Sequence, residues 1–297
     1  MNDTLPHCQW YGIACNNDGL IISIDLRGNN LVGQFPVYSR IADKNYEVAE
    51  SNWKYSKYGL ANLFHLETLD LADNNLTGTI EYRPLYNLKS LHHFDISGNH
   101  LSGGFEPLIT PSILYANFSN NRFTSVLHFQ HYKVSPLQTL RSLDVSNNEI
   151  KIDATDLFKT IPPNMEQFIA SRNDFYGKLP SSLNNLPKLR HFDMSSNTLS
   201  GKIPSFGDSI SSLQVLDMSN QDSASGLTGL IPKEIWQFQS LKVLSLAGNM
   251  LIGTIPPDVV NLAVLQRLDL SNNLLSNQIP PQIGQLDGEC LDCCGLL

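Results

Sequence analysis

The feature that most constrains this chain is a repeat with asparagine at its centre. In "LDLSNNLLSNQIPP", Leu268 to Pro281, apolar residues alternate as in a strand that hides one face, yet Asn273 stands between the leucines and Ile279. Numbering Leu265 as position 1, the same frame starts at Ile21, Leu66, Leu91, Ile113, Leu140, Met165, Leu189, Leu213 and Leu241. The spacings are 45, 25, 22, 27, 25, 24, 24, 28 and 24 residues, so the unit is 24 residues and the departures are loop insertions. Positions 4, 6 and 11 are apolar in all ten copies, once four extra residues before Leu227 are allowed for. A fixed period of this length marks a solenoid: one coil cannot cover its own inward side chains, and stacked coils share a continuous core.

Stacking also explains the amide. The backbone must turn inside the protein after each strand, and buried backbone groups left unpaired cost about 1–3 kcal/mol each. An asparagine side chain supplies two donors and an acceptor. Asn29, Asn74, Asn99, Asn121, Asn148, Asn173, Asn197, Asn249 and Asn273 are therefore expected to form a buried ladder bonding their own turn and a neighbour's. Gln221, in "DMSNQDSASGLTG", reads as its one break, beside a looped-out turn. Asn147 is expected on the surface next to buried Asn148.

The unit LxxLxLxxNxLxGxIP, carried in full by "LRHFDMSSNTLSGKIP" and "LKVLSLAGNMLIGTIP", resembles the plant-type leucine-rich repeat. The opening "CQWYGIAC" is similar to the Cys-x-Trp-x-Gly-Val-x-Cys cap of such arrays in secreted and receptor-like proteins, with Cys8, Trp10, Gly12, Ile13 and Cys15 matching. The resemblance covers roughly residues 6 to 286. It implies an α/β solenoid, a right-handed superhelix of about ten 24-residue repeats with a parallel inner sheet. The expected organisation is a disulfide cap over 1–20, the array over 21–286, and a cysteine-rich tail over 287–297. A Cys8–Cys15 bridge would cover the apolar end of the first coil and contribute roughly 2–3 kcal/mol. Cys290, Cys293 and Cys294 read as a terminal cap with one bridge and one free thiol; the rivals are a prenylation box in "CGLL" and a zinc site, which lacks a second pair at ligand spacing.

Composition agrees with a recognition scaffold. The chain has 297 residues, 41% of them hydrophobic, and a formal net charge of −8, which argues against a nucleic-acid groove. Its apolar runs are too short to span a membrane. No nucleophile elbow, phosphate-cradling glycine loop or HExxH occurs, and the position-13 glycines fit tight turns, so no enzyme, cofactor or metal is expected. The opening "MNDTLPHCQW" shows no signal peptide, at odds with the exported character of the cap, and a start inside a longer protein reconciles the two. The expected location is extracellular or at the cell surface, with any membrane anchor in a longer gene product; the alternative is cytoplasmic.

Candidate sites follow from strand geometry. Positions 2, 3, 5, 7 and 8 should line an inner sheet on the order of 45 Å long. Position 5 carries seven aspartates, read either as an acidic stripe for a basic peptide or cation, or as carboxylates bonding nearby amides. The more distinctive patch is Glu67, Asp70, His92, His93, Asp95, Tyr115 and Asp144, echoed by His191 and Asp193. A long insertion within 37–63 carries Tyr46, Trp53, Tyr55 and Tyr58, residue types that anchor interfaces. Among the sequons, Asn75 is expected on an exposed rim and Asn117 on the inner face, and both are candidate glycosylation sites. The resemblance implies a receptor-like ectodomain binding a peptide, glycan or protein partner in signalling or defence; the alternatives are a secreted inhibitor of a wall-degrading enzyme and an intracellular scaffold.

Overall fold

A computed structural model describes residues 7–35, 60–80, 82–105, 110–126, 139–159, 161–206, 212–221 and 226–286. The insertion residues Tyr46, Trp53, Tyr55 and Tyr58 and the tail cysteines lie outside them. The chain forms two compact units, residues 1–140 and 141–297.

In the first unit, Cys8 is bonded to Cys15, and the cap strand Ile13–Cys15 pairs antiparallel with Ile21–Asp25. Gly12 shows why the cap needs glycine: its φ is +74°, and a Cβ there would stand 2.0 Å from the carbonyl oxygen of Asp25. The strands Thr68–Asp70, His93–Asp95 and Tyr115–Asn117 then add in parallel, each matching positions 3 to 5 of one coil to the same positions of the next. The second unit repeats the pattern with Ser142–Asp144, Gln167–Ile169, His191–Asp193, Val215–Asp217, Val243–Ser245 and Arg267–Asp269. Beyond the entry strand Ile21–Asp25, the coil strands are three residues long, because position 8 leaves β geometry. Asp73, Asn120, Asn147, Arg172, Ser196, Asn220 and Asn272 all stand there at φ of 53–55°, and Gly28, Gly98 and Gly248 at 62–66°. Positions 7 and 8 thus form the turn rather than the sheet, which narrows the expected inner surface.

The amides follow that turn. Asn99 donates to the carbonyls of Ile96 and Ser97 in its own coil and Leu71 in the preceding one, and its Oδ1 accepts from the Leu76 amide. Asn74, Asn197, Asn249 and Asn273 repeat these links, each tying its own turn to the coil before it. Asn148, Asn173 and Asn273 are half-buried rather than buried, and two further expectations need correction. Asn29 is exposed rather than buried, and its Nδ2 donates to Arg27, because no repeat stacks before the first coil. Gln221 does not break the ladder: its Nε2 donates to Met194, Met218 and Ser219 and its Oε1 accepts from Leu199, so the longer amide fills the same place.

A second sheet arises where the position-13 glycines predict only a turn. In the first unit Val32–Gln34, Asn75–Thr79, His100–Phe105 and Arg122–Val126 pair in parallel. In the second, Lys151–Asp153, Asp174–Lys178, Thr198–Lys202, Leu227–Leu230, Met250–Gly253 and Leu274–Leu275 do the same. The LxGxIP half of the motif is therefore a strand, not only a turn. The returns are mostly 3₁₀ turns, among them Ser181–Asn185, Lys233–Gln237 and Pro257–Asn261. Prolines 180, 232 and 256 precede them, and a short tight helix is what a 24-residue circuit leaves room for. One α-helix, Ala154–Phe158, occurs among the described residues, where Asp153 caps the Thr155 amide at 2.7 Å.

Each unit carries its own apolar interior. Phe94, Phe105, Phe118 and Phe123 pack ring on ring in the first; Phe158, Phe168 and Phe192 do so in the second. The largest of these side chains are fully buried, so the strands that carry the inner face rest on rigid support.

Candidate functional site

Where an inner strand ends at position 5 with aspartate, that side chain folds onto its own turn. The Oδ1 atoms of Asp70, Asp95, Asp144, Asp193, Asp217 and Asp269 accept from the amide two residues on, at 2.8–3.2 Å. Asp95, Asp144, Asp217 and Asp269 also accept from the serine hydroxyl there, at 2.6–2.7 Å. The stripe is thus half structural: one oxygen holds the turn, and the other is left for something else.

In the first unit that something is Arg27. It sits at position 7 of the first coil and reaches forward over two coils. Its Nη2 stands 3.0 Å from Asp70 Oδ2 and 2.9 Å from Asp95 Oδ2, and its Nη1 3.1 Å from Asp73 Oδ2. Burial works against the charge of Arg27, but the hydrogen bonds and charges of Asp70 and Asp95 outweigh it and hold the guanidinium protonated far above its ordinary range. Asn117 Nδ2 adds a 3.2 Å bond to Asp95 Oδ2. The acidic stripe expected here is therefore bridged from within by one guanidinium, which offsets part of its charge. The composition of the loop before position 8 gave no sign of this, since Arg27 lies two coils from its furthest partner.

The other members of the patch surround this clamp. His93 is half-buried and stacks face to face on Tyr115, with ring centroids 4.5 Å apart and planes 6° from parallel. Burial pushes the His93 pKa down, against the opposing pull of Asp95 and Asp70, which favours a neutral ring. His92 and exposed Glu67 stand 3.8 Å apart at the edge. Asp144 belongs to the second unit, where Ser146 holds it. Ligand-type atoms of Asp70, His93 and Asp95 lie within 4.8 Å of one another, but both carboxylates are already committed to Arg27. His7, Cys8 and Cys15 also cluster, with both sulfurs in the disulfide.

The sequons differ. Asn75 is exposed on the second sheet. Asn117 is half-buried, its Nδ2 held by Asp95 and its Oδ1 by the Ser119 amide, and Phe118 and Ser119 behind it are buried. The nitrogen a glycan would use is thus occupied at Asn117 and open at Asn75.

The second unit carries the register-equivalent pair without the clamp. Asp193 faces Asp217 across adjacent parallel strands, as Asp70 faces Asp95. Among the described residues no cation lies within salt-bridge distance of either. Burial pushes the Asp217 carboxyl up, the Ser219 hydroxyl and amide pull it down, Asp193 raises it further, and Arg267 works against that. Position 7 of the preceding coils is Ser171 and Ser195, too short to reach across. A separate cavity of about 390 Å³ lies on the return side, between Phe158, Ile161, Pro163 and Leu186.

Comparison with known proteins agrees with this geometry. Residues 188–209, 240–262 and 264–286 match the family model described as Leucine Rich Repeat, and 62–80 and 137–151 match a second model of that description. Receptor-like protein 41 of Arabidopsis thaliana is 32% identical over 133 residues, 41% of this chain. Receptor-like protein kinase BRI1-like 3 of the same plant is 30% identical over 171 residues, 54% of this chain. The match spans only 14% of the length of each of these relatives. Among solved structures, the ectodomain of the Arabidopsis receptor kinase GASSHO1/SCHENGEN3 in complex with CASPARIAN STRIP INTEGRITY FACTOR 2 has a TM-score of 0.74 at 26% identity, covering 95% of this chain and 31% of that one. The Arabidopsis receptor kinase HAESA, with the peptide hormone IDA and the co-receptor SERK1, has a TM-score of 0.75 at 25% identity, over 94% and 43%. A plant ice-binding protein shares the fold alone, at a TM-score of 0.69 and 24% identity, over 92% and 80%. The matched stretches of the chain thus carry leucine-rich repeats, and its solenoid fold is similar to that of these receptor ectodomains.

Proposed function

We propose that this chain is an extracellular recognition module whose inner face binds an extended peptide. The observation that carries this reading is the inner face of the second unit. Six strands stacked in strict register hold the position-3 and position-5 side chains at a pitch of about 4.8 Å. Their backbones are spent on one another, so the exposed recognition elements are side chains on a rigid support. A preformed surface lowers the ordering cost of binding. An extended chain laid across the strands meets one coil about every one and a half residues, given about 3.3 Å per residue.

Two observations favour this over a cytoplasmic scaffold or an enzyme inhibitor. The Cys8–Cys15 bridge belongs to an oxidising compartment. The structures quoted above at 25–26% identity include receptor ectodomains bound to a peptide hormone and an integrity factor, which makes a peptide the first class of ligand to test. No helix among the described residues is long and apolar enough to cross a membrane. Exposed Asn75 is the glycosylation site this reading favours, with Asn117 held inward.

The test is a screen of synthetic extended peptides followed by hydrogen exchange. Slowed exchange confined to 142–144, 167–169, 191–193 and 215–217, lost in Val215→Arg at unchanged melting temperature, is the expected result. Protection on the second sheet or the returns instead would overturn the assignment of the binding face.

A further inference from the structure

The two aspartate pairs of the inner face are built alike and filled differently. In both, neighbouring parallel strands bring two position-5 carboxylates side by side, each with Oδ1 fixed by the amide two residues on. At Asp70 and Asp95 the outer oxygens grip one guanidinium at 3.0 and 2.9 Å. The molecule thus displays what such a pair holds: one guanidinium edge seated between two coils, Nε and Nη2 on Asp70 and Nη2 also on Asp95. At Asp193 and Asp217 the same seat lacks a cation from the described residues.

The surroundings set the seat's size. The register neighbours of the pair are Ile169 on one side and Ser245 on the other, so the run of carboxylates is two long. Ile169 and Val215 are half-buried and offer apolar surface for the methylene stem of a long basic side chain, which packs its carbons while its head stays polar. Asp217 is itself half-buried, so an unpaired charge there is under-solvated, and a partner cation gains more than it would at an open surface. Arg267, whose charge bears on Asp217, is 3.7 Å from Asp269.

We infer that Asp193 and Asp217 form the selectivity pocket for one arginine side chain of the extended peptide, reproducing between two chains the contact that Arg27 makes within one. The inference rests on the peptide reading above and names what that face selects. Arginine is favoured over lysine because its planar fork can serve two carboxylate oxygens on adjacent coils at once.

A random extended heptapeptide library displayed on phage tests it. It is selected against the whole chain, against Asp193→Asn/Asp217→Asn, and against Ser171→Arg, which places a guanidinium where Arg27 stands relative to its own pair. The wild-type chain is expected to enrich arginine at one library position, and both variants to lose that enrichment with melting temperatures no lower than that of the wild type. For a synthesised winner, replacing that arginine with citrulline should weaken binding about tenfold or more. Peptides recovered without a basic residue, or arginine enrichment that survives in both variants, would overturn the pocket while leaving the peptide reading standing. Recovery of no peptide at all would overturn both.

Discussion

Two stretches of the inner face answer the same problem in opposite ways. At the first-unit pair, Asp70 and Asp95 are almost wholly buried, and Arg27 supplies the charge that makes this tolerable. At the second-unit pair, Asp193 and Asp217 keep more contact with solvent and, among the described residues, bond only to their own turns. One strand motif, "LDLS" and its variants, thus yields a closed structural clamp in one place and an open acidic pair in the other. What differs is the position-7 side chain in the coil before each pair, Arg27 in the first unit and Ser171 in the second. A repeat fixes where carboxylates stand; the off-pattern residue decides whether they are structure or surface.

The sharpest way to break this comparison is Arg27→Met. If the clamp is structural, the substitution strands two buried carboxylates and should cost about 2 kcal/mol in chemical denaturation at neutral pH. A second change, Asp95→Asn, should restore part of that loss. No loss would make the two pairs equivalent and the contrast empty.

The reverse transplant is smaller in effect. Ser171→Arg should reach Asp193 and Asp217 and stabilise the second unit by roughly 0.5–1 kcal/mol, discounted for solvent screening. A crystal structure showing that arginine turned away from both carboxylates would refute the claimed likeness of the pairs.

Smaller again is Asp217→Asn, which keeps the acceptor for Ser219 and removes an under-solvated charge. The Asp217 carboxyl is raised in the fold, chiefly by burial, so the folded state binds more protons than the unfolded one above the ordinary value of 3.8. Stability present at low pH is therefore lost as pH rises through the raised value. The variant should flatten that part of the pH–stability curve and raise the melting temperature at pH 7 slightly. The matching change in the first unit, Asp70→Asn, should lower it.

The least effect is expected at His93. Its pKa is lowered in the fold, so the unfolded chain takes up the proton first, and stability should fall as pH drops below about 6.5 and level off below the folded value. His93→Phe keeps a ring against Tyr115 and should remove that slope without changing the melting temperature at pH 8.

Much of this was legible in the residues. The apolar positions 4, 6 and 11 gave the stacking, because side chains with no cover inside one coil must find it in the next. Asn99 and its counterparts gave the ladder, because an amide placed among leucines has buried backbone to satisfy. The cap pairing was legible in Cys8 and Cys15. Less legible was the second sheet: Asn75–Thr79 reads as turn because Gly78 sits inside it, whereas the glycine allows a positive φ of 85° in a strand. Nor did Asn147 look special, yet its φ of 53° means a leucine there would meet backbone strain as well as solvent.

By itself, then, the sequence determined the period, the core and the polar thread through it, since these are demands that each coil makes locally and repeats ten times. Only the tertiary structure decided which inner-face groups are free. Arg27 acts on Asp70 and Asp95, 43 and 68 residues away, and Asn117 is held by an aspartate 22 residues before it. Such pairings depend on the direction a long side chain takes across stacked coils, and no local pattern encodes that direction.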